Sequence, residues 1–99
     1  MSDNVVRKTV QVCNPQGMHA RPADMFVKLA SQFESQVDVI KDGNRVDGKS
    51  ILGVLTLVAE QGTDLTIEAR GRDAEDALSA LAGLVEQGFD EVQAGTHDG

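Results

Sequence analysis

Tryptophan and tyrosine are missing from this 99-residue chain, and three phenylalanines supply its whole aromatic content of 3%. The interior must therefore be aliphatic, and no exposed rings are on offer to stack nucleotide bases. Positive charge is scarce: nine Lys and Arg stand against 16 Asp and Glu, a net charge of −7. That balance speaks against duplex nucleic acid as a partner, which calls for a basic stripe, and against attraction to an anionic membrane. A single cysteine, Cys13, permits no internal disulfide and no cysteine metal cluster. No metal and no cofactor are expected. The longest apolar-rich run, Ile51 to Ala59, has nine residues and is broken by Gly53 and Thr56, whereas a membrane-spanning helix needs ~20. The opening MSDNVVRKTVQVCN lacks the apolar stretch of a secretion signal. A cytoplasmic protein is the expectation.

What is present has a readable order. Val6 to Cys13 reads as a strand, with Val6, Val10 and Val12 on one face and Lys8 the exception at the same parity. Asn14-Pro15-Gln16-Gly17 is a loop cluster. A helix should begin within His19 to Arg21, since Pro22 suits a first turn; Met25, Phe26, Leu29, Ala30 and Phe33 then form its apolar face. Gln36 to Lys41 and Asn44 to Asp47 read as a hairpin across Asp42-Gly43. Ser50 should cap a short helix whose core face is Ile51, Val54 and Val58. Asp64 to Arg70 alternates cleanly, with Leu65, Ile67 and Ala69 facing one way. Asp73 should cap a last helix striped with Ala74, Ala77, Leu78, Leu81, Leu84 and Val85, and Gly88 should end it. The order β-α-β-β-α-β-α, with two-faced strands, predicts an α+β domain: an antiparallel sheet with helices on a single face. One domain over 1–91 and a disordered tail over 92–99 are expected.

The chemistry concentrates in Gly17-Met18-His19-Ala20-Arg21-Pro22-Ala23. This segment puts an imidazole, which titrates near neutrality, at the start of a helix. Helix starts offer unpaired N–H groups and positive dipole charge, an anion site. Arg21 adds a forked cation that matches phosphate geometry. No glycine-rich nucleotide loop and no nearby acidic pair for magnesium accompany them. The parts suit holding a phosphoryl group on His19, not taking one from a nucleotide. Taken alone, His19 reads equally well as a cap or a solvated residue.

Residues 17–23 closely resemble the active-site signature of HPr, the histidine phosphocarrier family of the bacterial phosphotransferase system. Lys49-Ser50-Ile51-Leu52-Gly53-Val54-Leu55 resembles that family's regulatory-serine segment, and the resemblance runs from about Lys8 to Glu91. It implies an open-faced β-sandwich, with four antiparallel strands and three helices on one face. It also implies that His19 receives a phosphoryl group on Nδ1 from enzyme I and donates it to an enzyme IIA domain, with Arg21 neutralising the charge. The protein would then be a stoichiometric carrier, not an enzyme, and a monomer. The docking positions implied are Met18, Ala20, Leu52 and Leu55, with Lys28 and Lys49 as a basic rim. Leu52 is expected to be exposed; Leu55 is divided between exposure and core.

Ser50 carries two readings, an N-cap and, from the resemblance, a target of a dedicated serine kinase/phosphorylase. Three alternatives stay open: the carrier of the nitrogen-linked branch, which the Gly-Met-His form and Gly88-Phe89-Asp90-Glu91 resemble; a regulatory module working through Ser50; and a small acyl-phosphate hydrolase.

Overall fold

The strand at the heart of the molecule is β4 (Asp64–Arg70), the last of four in the chain. Before it come β1 (Val5–Gln11), β2 (Gln36–Lys41) and β3 (Asn44–Asp47). The helices are α1 (Ala20–Ala30), α2 (Ile51–Thr56) and α3 (Ala74–Glu86), and a turn at Gly88–Asp90 follows. The computed structural model describes residues 4–90, so the tail expected over 92–99 lies outside the described residues.

All strand pairs are antiparallel, and the order across the sheet is β1-β4-β2-β3. Alternation explains why β4 is central. Leu65, Ile67 and Ala69 are fully buried and face Val10, Lys8 and Val6 on one side, with Val39 and Val37 opposite Ile67 and Ala69 on the other. The three helices cover this face, as the element order predicts, and make the open-faced sandwich that the family resemblance implies. Phe26, Ala30, Val54, Leu81 and Val85 complete the core. Each large buried side chain contributes ~1.5–3 kcal/mol of transfer free energy. Lys8 shares the covered face but sits on an edge strand, and its ammonium reaches Glu86 at 3.3 Å. Its apolar stem can thus lie over the core while the charge stays wet.

The other face carries no helix. Arg7, Glu68 and Asp38 stand in one cross-strand row. Glu68 is only 5% exposed, because Arg45 and Arg7 lie over it at 3.2 and 3.4 Å. The hydrogen bond from Arg45, then the charges of Arg45, Arg7 and Arg70, hold its carboxyl below the usual value against the opposing effect of burial.

Several expectations need correction. β1 stops at Gln11 instead of running to Cys13, because Val12 pairs with the loop: its N–H donates to Thr63 and its carbonyl accepts from Gly62. α1 ends at Ala30, so Phe33 lies beyond it and packs on Ala69, Ala74 and Ala77. Ile51 and Val58, expected in the core, are 37% and 62% exposed. α2 closes early, and Leu57 takes the buried position. Asp73 is the N-cap residue of α3, yet its side chain caps nothing there. It accepts hydrogen bonds from the Glu34 and Ser35 N–H groups, 2.9 Å each, and from the Ser35 hydroxyl. These bonds tie the two loops at that end of the sheet together and hold the Asp73 carboxyl below its ordinary value, the Ser35 hydroxyl bond being the largest cause.

Candidate functional site

The segment before α1 is built to a narrow tolerance. Asn14, fully buried, donates from Nδ2 to the Gly17 carbonyl at 2.7 Å. Gly17 takes φ +71, and a Cβ there would sit 2.4 Å from the Ala59 carbonyl oxygen. Only glycine meets both demands. The Met18 N–H then donates to that same oxygen at 2.7 Å. The loop is therefore pinned to the Ala59–Glu60 backbone immediately before His19.

His19 is the N-cap residue of α1, with extended backbone, and its carbonyl accepts from Ala23 N–H at 2.9 Å. Its ring makes no capping hydrogen bond. It is half-buried and lines a shallow depression of about 350 Å³ with Gln16, Met18, Leu55, Val58, Ala59 and Glu60. A larger hollow of about 520 Å³ lies between β1 and α3 and contains none of the candidate residues. The N–H groups of Ala20 and Arg21 head the helix without an intrahelical acceptor, and Pro22 has none to offer. No acidic side chain occupies the first turn of α1, so none within the helix answers its positive end, which suits an anion. Arg21 is exposed and, among the described residues, makes no hydrogen bond or ion pair. A half-buried imidazole, an exposed forked cation and a helix start with no acid in its first turn can together carry and neutralise a phosphoryl group. No group of three or more His, Cys, Asp or Glu among the described residues is placed to hold a metal.

Residues 6–87 match the family model described as the PTS HPr component phosphorylation site. The chain belongs to the HPr family. An HPr phosphocarrier from Treponema pallidum is 42% identical over 87 residues, covering 88% of this chain and 99% of the relative. The HPr-like protein Crh of Bacillus subtilis is 41% identical over 83 residues, covering 84% and 98%. A phosphocarrier named NPr from Shewanella violacea is 35% identical over 87 residues, covering 88% and 96%. Among solved structures, HPr from Thermoanaerobacter tengcongensis superposes with a TM-score of 0.84 at 43% identity, covering 87% of this chain and 97% of that one. This chain is therefore an HPr-family phosphocarrier of the phosphotransferase system.

The structure redistributes the expected docking residues. Ala20 is exposed beside His19, and Leu52 is 72% exposed. Leu55 does both things left open for it: it packs against the core and lines the His19 depression. Met18, expected at the docking surface, is only 4% exposed and packs in the core, touching the surface only where it lines the His19 depression, because the bond to Ala59 draws it under the loop. The basic rim is not assembled either. Lys28 pairs with Asp24 at 3.0 Å, about 12 Å along the helix from its start. Lys49 donates to the Phe33 carbonyl at 2.8 Å. Ser50 does cap α2, accepting the Gly53 N–H on its hydroxyl at 3.0 Å.

Sequence reasoning missed three contributors. Asn14 shows in the sequence only as part of a loop cluster. Val58 adopts φ +49 beside His19, a conformation that costs a β-branched residue about 1–3 kcal/mol. Lys41 donates to the Leu57 and Val58 carbonyls at 3.0 and 3.1 Å. Only Gly17, flanking the histidine, carried a local signal of close backbone approach.

Proposed function

We propose that His19 is the phosphoryl acceptor, charged by enzyme I and discharged to an enzyme IIA domain of a sugar-linked phosphotransferase system in the cytoplasm. The carrying observation is the geometry at the start of α1: an imidazole that spends no ring atom on capping, on a helix whose first turn holds no acid. In the step, the N–P bond of the donor's phosphohistidine breaks as a new one forms to His19 Nδ1. Arg21 and the Ala20 and Arg21 N–H groups balance the incoming charge. Placement does most of the work within a transient complex. The group must stay exposed and only moderately stabilised, because tighter ground-state binding would slow its departure. Each protein molecule thus carries one group and is used stoichiometrically, as a monomer.

Incubation with enzyme I and phosphoenolpyruvate should add a single acid-labile phosphate, visible by intact mass and absent from His19→Ala. Undiminished labelling of that variant would overturn the assignment. A second reading, service to the nitrogen-linked branch, is favoured by the Gly17-Met18-His19 form and the Gly88-Phe89-Asp90-Glu91 ending. Initial rates with the enzyme I of each branch separate the two. At Ser50 we propose phosphorylation by a serine kinase/phosphorylase as regulation: added charge beside exposed Leu52 would weaken docking. Incubation with that kinase and ATP, followed by peptide mapping, tests it.

A further inference from the structure

We propose that Lys41 is a positioning residue for His19, acting through the left-handed turn at Leu57–Val58. The inference rests on the phosphoryl-acceptor reading above and adds to it a residue on a different element, at the end of β2.

α2 stops at Thr56, and the chain reverses through Val58 at φ +49. The residue that closes a helix in this region is usually glycine, sometimes asparagine. Valine is poorly suited to it, since its branched Cβ crowds the backbone. Packing does not repay the side chain, which is 62% exposed. The turn is held instead by hydrogen bonds. Leu57 and Val58 N–H groups donate to Val54 and Leu55 carbonyls at 3.2 Å each. The Lys41 ammonium then fastens the far side, donating to both the Leu57 and Val58 carbonyls. A cation is well placed there, where α2 presents its last carbonyls.

The next residue connects this turn to the reacting group. Ala59 is 3% exposed, and its carbonyl accepts the Met18 N–H at 2.7 Å while Gly17 presses against the same oxygen. Met18, 4% exposed, is the residue before His19. The path from Lys41 to His19 is thus two hydrogen bonds joined by single residues, with both junctions buried. Without the ammonium, the Val58 turn can relax, the Ala59 carbonyl shifts and the histidine loses its placement. Transfer between two histidines is sensitive to such shifts.

The mechanism has a signed consequence. Val58→Gly removes the steric reason for a clamp, so Lys41 should matter less in that background. The experiment compares Lys41→Met, Lys41→Arg, Val58→Gly and the Lys41→Met/Val58→Gly double variant. It reads kcat and KM for phosphorylation by enzyme I, the exchange rate of the Met18 amide, and the urea midpoint as a check on folding. Lys41→Met should lower kcat about tenfold at unchanged KM and speed Met18 exchange several-fold. Lys41→Arg should retain wild-type behaviour, and in the Val58→Gly background the kcat loss should shrink to less than about twofold. A change in KM alone, an equal kcat loss in both backgrounds, or unaltered Met18 exchange would overturn the proposal. If wild-type protein accepts no phosphoryl group, the acceptor reading fails by itself, and Met18 exchange in Lys41→Met still decides whether the clamp exists.

Discussion

α1 and α2 begin with the same need and meet it differently. Every helix start leaves N–H groups without partners, and a side-chain oxygen usually takes one of them. At α2, Ser50 does so, accepting from Gly53 at 3.0 Å. At α1, His19 holds the equivalent position and its ring accepts nothing from the helix. The difference separates structural from chemical use of one location. A capped start is quiet, with its charge partly answered; a bare one keeps its donors for something that arrives later. α3 offers a third variation, since Asp73 stands at the start and spends its carboxylate across the molecule on Glu34 and Ser35.

The contrast breaks most visibly at His19. Replacing it with alanine should abolish phosphoryl acceptance while leaving the urea midpoint nearly unchanged, because no cap bond is lost. A large fall in stability would mean that the ring serves the fold after all. Next in size is Arg21→Ala. With no described partner to abandon, Arg21 should leave the fold intact when removed, yet transfer should slow by about a hundredfold, the scale of losing one charge-stabilising donor. Single-turnover rates with phosphorylated enzyme I would show it, and an unchanged rate would remove Arg21 from the mechanism.

These residues were legible in the sequence because the signal is local. A histidine, an arginine and a first-turn proline within four positions describe a helix start without tertiary information, and two-residue alternation was enough to place β4 and its partners. What escaped depends on distant contacts. Val58 continues the apolar spacing of α2 on paper, but the chain turns left-handed and throws it outward, so Leu57 fills the core instead. Asp73 satisfies every local rule for a cap, and two loop N–H groups far along the chain outcompete its own helix. Lys49 suggests a rim by charge alone, and its partner, the Phe33 carbonyl, is 16 residues away; Lys28 is the exception, since its partner Asp24 lies one helical turn back, within reach of sequence spacing. Phe89, fully buried at φ +55, sits past the glycine expected to end α3, where periodicity no longer speaks.

The Asp73 arrangement sharpens the comparison through pH. Its carboxyl lies below the ordinary value in the folded state, chiefly through the Ser35 hydroxyl. A depressed folded value means that the charged form is favoured by folding. The stabilisation is therefore complete above the unfolded value, ~3.9, and fades as pH falls through the lower folded one. Asp73→Asn should lower the urea midpoint at neutral pH, and the gap to wild type should close in acid. Glu68 is depressed in the same direction but is present in both proteins, so it drops out of the difference. A gap that persists unchanged well below the ordinary carboxylate range would show that Asp73 acts by packing and not by charge.

The smallest effect is expected at Ser50, and it tests the comparison from the structural side. Ser50→Ala removes one hydroxyl acceptor from a half-buried N–H, the ordinary cap contribution of ~1 kcal/mol. The helix is only six residues long and anchored by Val54, so it should persist. Acceptance of a phosphoryl group on His19 should be unaffected, because the Ser50 hydroxyl bonds the Gly53 N–H and takes no part in the Met18–Ala59 bond that pins the His19 loop. Ser50→Ala is thus the mirror of His19→Ala: one should move stability and spare transfer, the other the reverse. Urea unfolding and enzyme I kinetics on the same two preparations give both readings. If Ser50→Ala slowed transfer as much as it lowered stability, the start of α2 would belong to the chemical surface, and the division between the two helix starts would not hold.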